Sequence, residues 1–221
     1  MSETTTPDFF ERDAWEERYA GDGQTWSGKV NPQLAAEVST LTPGTALDMG
    51  CGEGADVIWL ATQGWQATGA DFSAAGLARA ARAAEGAGVA ERCDWLETDA
   101  RTFDASTLGT GPLGDGGRTW DLVTSHFLHP AAGGMSHVLP RLAAAVAPGG
   151  HLLVVGHAPI ESFIAQMDEE KRAAMFFAAD LVEFLPEGFE VVTLDQRPRT
   201  VVREGAEMQL EDSTLLARRT A

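Results

Sequence analysis

Between residues 47 and 56 the chain reads LDMGCGEGAD, with Gly50, Gly52 and Gly54 alternating beside two carboxylates, Asp48 and Glu53. Glycine at that density lets a backbone approach a ligand closely. Two more acids end apolar runs downstream, Asp71 after QATGA and Asp99 after DWLET. Asp71 lies 23 residues beyond Asp48, the separation of one returning helix and strand, and an acid there can accept both hydroxyls of a ribose. Three histidines, His126, His129 and His157, follow later apolar runs, where a neutral imidazole could take a proton from a nucleophile.

Two nucleotide classes fit such a loop. The dinucleotide fingerprint can be laid on Gly50, Gly52 and Ala55, so NAD stays open on the pattern alone. Electrostatics separates the options. A pyrophosphate seeks bare amides at a helix N-terminus, and Asp48 and Glu53 would repel it. A ligand with an adenosine, a positive sulfur and an amino-acid tail gains from Asp48 near its ammonium. S-adenosylmethionine has those groups.

The elements that must position these residues alternate from residue 45 onward. TALDM, QATGAD (66–71), CDWLETD (93–99), WDLVTSHFL (120–128) and HLLVVGH (151–157) read as strands. The intervening helices are ADVIWLATQG, a Ser73-capped segment to about Gly86, and SHVLPRLAAAVAPGG. Strands spaced by helices predict βαβ units and an α/β, doubly wound sheet. GFEVVTLDQRP and QLEDSTLLARR predict a closing antiparallel pair, after one long helix over about 161–184. At the start, residues 1–6 read as a frayed tail, and 8–20 as a helix with Asp8 and Glu11 in a capping pattern. A second helix begins at Asn31-Pro32 and runs to about Thr40. TLGTGPLGDGGRT is a surface loop.

Composition narrows the classes. The 221 residues carry 33 acids against 16 bases, a formal charge of −17, which argues against a nucleic-acid partner and suits a cationic ligand. No apolar run approaches the ~20 residues of a membrane span, and the acidic start is no signal peptide; a cytoplasmic location is expected. Two cysteines, Cys51 and Cys93, are too few for a disulfide framework or a zinc site, so no metal is expected.

The segments LDMGCGEG, GADFS, ETDAR, WDLVTS and LAAAVAPGGHLLVV, with the opening FFERDAWEERYAG and the later W.G..NP, resemble class I S-adenosylmethionine-dependent methyltransferases. The resemblance spans nearly the whole chain and is to small-molecule members like the tellurite-resistance and thiopurine enzymes. It implies a Rossmann-like seven-stranded sheet with an antiparallel last strand. It implies an N-terminal lid over 1–44 on a cofactor domain over 45–221. Gly50, Gly52 and Gly54 would line the methionine moiety, with Cys51 contributing backbone and Asp48 contacting its polar end. Asp71 would hold the ribose, Phe72 would lie against the adenine, and Asp99 with the Ala100 amide would read the adenine edge. Ser125 would face the methyl group.

Trp26 is either a packing residue for the N-terminal helix or a lid ring over the sulfonium. His126 and His129 are the candidate bases, His129 preferred because Pro130 fixes its loop, and His157 stands third. Arg197, Arg199 and Arg203 read as a solvated strand edge or an oxyanion site. The expected activity is methyl transfer to a small molecule, a thiol or chalcogen oxyanion among the candidates, by a monomer or homodimer. An NAD-dependent oxidoreductase and a non-catalytic S-adenosylmethionine-binding module are the alternatives. SHFL at the end of the fourth strand, in place of an N/D-P-P-aromatic motif, again argues against DNA or RNA substrates.

Overall fold

The computed structural model describes residues 9–108, 117–131, 134–165, 167–203 and 206–220. Asp8, the tail over 1–6 and the loop segment 109–116 lie outside the described residues. Seven strands form one sheet: β1 (Thr45–Met49), β2 (Gln66–Asp71), β3 (Cys93–Glu97), β4 (Trp120–His126), β5 (Val146–His157), β6 (Phe189–Arg203) and β7 (Ala206–Arg219). Their order is β3-β2-β1-β4-β5-β7-β6. β1 to β5 pair in parallel, and β7 runs antiparallel to both β5 and β6. The doubly wound sheet with its antiparallel last strand is thus as the sequence predicts. Strand order reverses between β1 and β4, the crevice where ligands of open α/β sheets bind.

Eight helices flank the sheet among the described residues: α1 (Arg12–Ala20), α2 (Pro32–Val38), α3 (Ala55–Thr62), α4 (Ala74–Gly86), α5 (Gly134–Ala144), α6 (Glu161–Ile164), α7 (Glu169–Ala174) and α8 (Ala178–Leu181). Because strand side chains alternate in direction, β1 gives Ala46 to one apolar layer with Leu34, Val57, Leu60 and Leu122. It gives Leu47 and Met49 to the other, with Val123, Leu139, Val154 and Phe176. None of the described helices is long and apolar enough to cross a membrane.

Several boundaries depart from the sequence expectation: β5 begins at Val146, within the expected helix and turn, β6 runs on to Arg203, and two helices differ. The first helix starts at Arg12, with Glu11 at its N-cap making no side-chain cap bond; Glu11 pairs with Arg101 instead. The single helix expected over 161–184 is three short ones. The Asp168 side chain accepts the Lys171 N–H and restarts the chain as α7. Met175 to Phe177 then run extended, which lowers Phe176 onto Gly156, where a Cβ would meet the Phe176 ring. Periodicity registered the apolar residues but not the tertiary slot that one of them fills.

Candidate functional site

The β1–α3 loop leaves the sheet at the switch point. Gly50, Gly52 and Gly54 all have positive φ, at 80°, 51° and 79°, a region costly for residues with a Cβ. A Cβ on Gly52 would lie 2.7 Å from the Tyr19 hydroxyl, and one on Gly54 would lie 2.7 Å from the Ala80 Cβ. The glycines thus admit the protein's own neighbours. Most of the loop's amides are also spoken for. Gly50 and Cys51 donate to the Ala70 carbonyl, Gly54 to that of Cys51, and Gly52 to Asp71 at 2.9 Å.

Asp71 is buried at the end of β2 and also accepts the Ser73 N–H at 2.9 Å. It therefore has a structural role that its sequence position does not reveal, tying the glycine loop to β2. Burial raises its pKa against the pull of those two amides. Phe72, Thr98 and Asp99, with Arg12 and Glu97, line a cavity of about 130 Å³ beside it. Asp99 accepts Arg101 through its N–H and guanidinium; despite partial burial, that donor set holds its pKa below the ordinary range. Ala100 is buried next to it.

The N-terminal segment closes over this end of the sheet. Glu16 caps α4 by accepting the Ala74 and Ala75 amides, Arg12 pairs with Glu97, and Arg101 bridges Asp99 to Glu11. Tyr19, the chain's single tyrosine, is buried against the glycine loop, and burial pushes its pKa up. Trp26 is half-exposed, stacks on Trp15 at 5.9 Å and donates to the Tyr19 hydroxyl. It packs on α1, not on the sheet. Arg79 joins the segment to the loop, donating to the Gly21 and Gly23 carbonyls and to Glu53 at 2.7 Å. Tyr19, Arg79 and Glu16 escaped sequence reasoning because their partners lie far away in the chain.

Asp48 stands on β1 at the switch point, buried, and accepts the Thr124 hydroxyl at 2.8 Å. His126 Nδ1 lies 3.4 Å from Asp48 and 2.9 Å from Asp56. The contact is ionic, without the alignment of a hydrogen bond to either acid. Burial alone would lower the His126 pKa, but the two carboxylates reverse the effect and hold it at about 10. The imidazole is thus a cation and has no lone pair to act as a base. Asp48, Asp56 and His126 bring three potential ligand atoms within 4.8 Å of one another, close enough for a small cation; the imidazolium proton supplies positive charge there. Thr124 and His126 share the Asp48 face, so Ser125 points to the opposite one, with its hydroxyl buried and unpaired.

Beyond β4 the backbone turns left-handed at Phe127, φ 53°, a strained conformation costing on the order of 1–3 kcal/mol. The turn carries the ring back to the layer of α2 and α3, where it stacks on His157 at 4.2 Å. His129 uses both ring nitrogens, Nδ1 on the Ala174 carbonyl and Nε2 on the His157 N–H. Burial lowers its pKa to about 4. Arg199 pairs with the fully buried Asp212, and Arg197 with Glu37 and Asp195.

Residues 47–152, just under half of the chain, match a family described as Methyltransferase domain. They run from β1 and the glycine loop into the fifth strand. This segment is similar to a methyltransferase domain. Such a domain draws its methyl group from S-adenosylmethionine, the cofactor expected from the sequence. None of the curated proteins matches the chain. Among solved structures, one reported for conversion of a disulfide bond into a thioacetal group during echinomycin biosynthesis is 21% identical, with a TM-score of 0.69 over 93% of this chain and 88% of that one. TehB from Haemophilus influenzae is 16% identical, with a TM-score of 0.66 over 95% of this chain and 67% of that one. Magnesium protoporphyrin IX methyltransferase from Synechocystis PCC 6803, with bound SAH, is 20% identical, with a TM-score of 0.64 over 95% and 98%. These likenesses extend the shared fold beyond residues 47–152 to most of the chain.

Proposed function

We propose that the protein transfers a methyl group from S-adenosylmethionine to a small-molecule acceptor. One observation carries the choice of cofactor over NAD: the loop amides that a pyrophosphate would need are already donated to Ala70, Cys51 and Asp71. Glu53, engaged with Arg79 and two backbone amides, argues less strongly against a pyrophosphate than its place in the sequence suggests. Asp48 and Asp71 keep the crevice suited to a cation.

In this reading Asp71 holds the ribose, Phe72 lies against the adenine, and Asp99 with the Ala100 amide reads its edge. Gly50, Cys51, Gly52 and Gly54 flank the methionine moiety, and Asp48 meets its ammonium. Segment 1–44 acts as the lid, with Trp26 and Tyr19 closing on the loop from above. Bound S-adenosylmethionine supplies an electrophilic sulfonium methyl. The chain's residues align the acceptor behind that methyl, a contribution worth up to ~7–11 kcal/mol in ideal cases. His129, hydrogen-bonded through both nitrogens, serves as a wall of the acceptor site, and His126 as the counter-ion of Asp48 and Asp56. A thiol acceptor needs no more than alignment. A chalcogen oxyanion fits less well, because Arg197 and Arg199 are both committed to carboxylates.

Isothermal calorimetry with S-adenosylmethionine and NAD in parallel tests the reading. Binding of the first without the second is expected, with Asp71→Ala abolishing it. Binding of NAD alone would overturn it.

A further inference from the structure

We propose that His157 is the catalytic base of this site and Asp212 its positioning residue, for an acceptor that is an aromatic hydroxyl compound. The inference rests on the methyl-transfer reading above and names the acceptor it would use.

The register of β5 and β7 places His157 opposite Asp212. The buried Nδ1 of His157 makes no hydrogen bond and faces the Asp212 carboxylate at 3.9 Å. Catalytic hydrogen bonds are often long before substrate binds and tighten in the complex. A proton on Nδ1 satisfies that carboxylate and leaves the lone pair on Nε2, the tautomer a base needs. Asp212 is itself held in place. It is wholly buried, with Arg199 Nε 3.1 and 3.0 Å from its two oxygens and the Gln33 amide at 3.2 Å.

The ring of His157 is clamped. Phe127 stacks at 4.2 Å and 18°, His129 at 5.5 Å and 14°, and Phe163 meets its edge at 5.1 Å. At 22% exposure the side chain stays reachable, whereas His126 and His129 are both consumed. The charged and titratable groups facing it are Asp212 from β7, Arg199 from β6 and His129 from the loop after β4. Burial first, then His129 and Arg199, lower its pKa to about 3, so the ring is neutral at pH 7 and a weak base, able to take only an O–H proton made acidic as the oxygen gains the methyl.

The surroundings select the acceptor. Phe127, Phe163, Phe176 and the two imidazoles pack against one another, and an aromatic cluster of this kind would take a planar ring against its outer faces as walls. A thiol that ionises by itself would leave an Asp–His pair unused, and an oxyanion would find no uncommitted arginine here. A phenol needs both the walls and the base. As its oxygen bonds to the methyl carbon, the carbon–sulfur bond breaks with its electron pair left on sulfur. The O–H proton passes to His157 Nε2 and later to water.

The test compares wild type, His157→Gln and Asp212→Asn with a small phenol and with thiophenol, scoring S-adenosylhomocysteine release from pH 6 to 9. Calorimetry first establishes that S-adenosylmethionine binds each protein. At pH 7, His157→Gln should lose about a hundredfold or more in kcat on the phenol and regain about tenfold per pH unit as the phenol ionises, with thiophenol turnover kept. Asp212→Asn should lower kcat without raising KM. The ¹⁵N shifts of His157 should show the proton on Nδ1 in wild type, and a mixture of the two neutral tautomers in Asp212→Asn.

Phenol turnover by His157→Gln near the wild-type rate, with an unchanged pH profile, would overturn the proposal. So would a wild-type His157 protonated on Nε2, a reading that holds even if Asp212→Asn does not fold. A wild type that binds S-adenosylmethionine but methylates only the thiol overturns the base and leaves the cofactor reading standing. A wild type that does not bind S-adenosylmethionine overturns the methyl-transfer reading itself.

Discussion

The Glu53 carboxylate accepts the Trp26 N–H at 2.9 Å, so an acid in the glycine loop grips a residue 27 positions earlier in the chain. The same group accepts the Thr25 N–H at 3.0 Å and pairs with Arg79. Burial opposes its ionisation, but those donors together hold its pKa below the usual range. The latch is short, charged and partly buried, and it joins the N-terminal segment to the glycine loop.

Replacing Glu53 with alanine should therefore loosen the N-terminal segment while leaving the sheet intact. Each hydrogen bond to a charged group is worth roughly 1.5–3 kcal/mol, and Arg79 would lose its carboxylate partner. Limited trypsin digestion should cut faster after Arg18 in Glu53→Ala than in wild type, while far-UV circular dichroism stays the same. Equal cleavage rates would show that the aromatic stack of Trp15 and Trp26 holds the segment without the carboxylate.

His126 makes stability depend on pH in a stated direction. Its folded pKa, about 10, lies above the ordinary value of 6.5. Its contribution is thus complete below 6.5 and is lost as pH rises through 10, at up to about 1.4 kcal/mol per unit. Urea midpoints measured from pH 6 to pH 9.5 should fall with rising pH, and His126→Gln should flatten the slope. An equally steep slope in His126→Gln would place the alkaline loss elsewhere.

Gly54→Ala should destabilise the protein by about 2–4 kcal/mol, combining a left-handed φ with overpacking. The added Cβ would sit 2.7 Å from Ala80 and 2.9 Å from the Trp95 ring. Gly86→Ala is the control, since a Cβ at the end of α4 meets nothing within 4 Å, and it should be neutral or stabilising by about 0.4–1 kcal/mol. Urea denaturation of both variants checks the pair; equal midpoints would mean that the loop relaxes around the new methyl.

Local pattern carried much of the molecule. Each parallel strand is an apolar run between turn residues, and each acid of interest ends or follows such a run, so the alternation of β1 to β5 with helices and the places of Asp48, Asp71 and Asp99 were legible from neighbours in sequence. So was the free state of Cys51 and Cys93. The glycines were legible as special backbone, although the groups they admit in this structure are Tyr19, Ala80 and Trp95.

The chain order of β6 and β7 does not reveal their order in the sheet. β7 inserts between β5 and β6, and that exchange alone brings Asp212 opposite His157 and Arg199 beside both. The left-handed turn at Phe127 reverses the face that strand alternation would assign to its ring, and the slot over Gly156 breaks one expected helix into three. Periodicity over a few residues assigned the five parallel strands and the helices between them, because those elements follow from local pattern. Which histidine is a cation, which is fully hydrogen-bonded and which is left with a lone pair depends on partners up to 179 positions apart, such as Gln33 and Asp212, and folding alone brings these together.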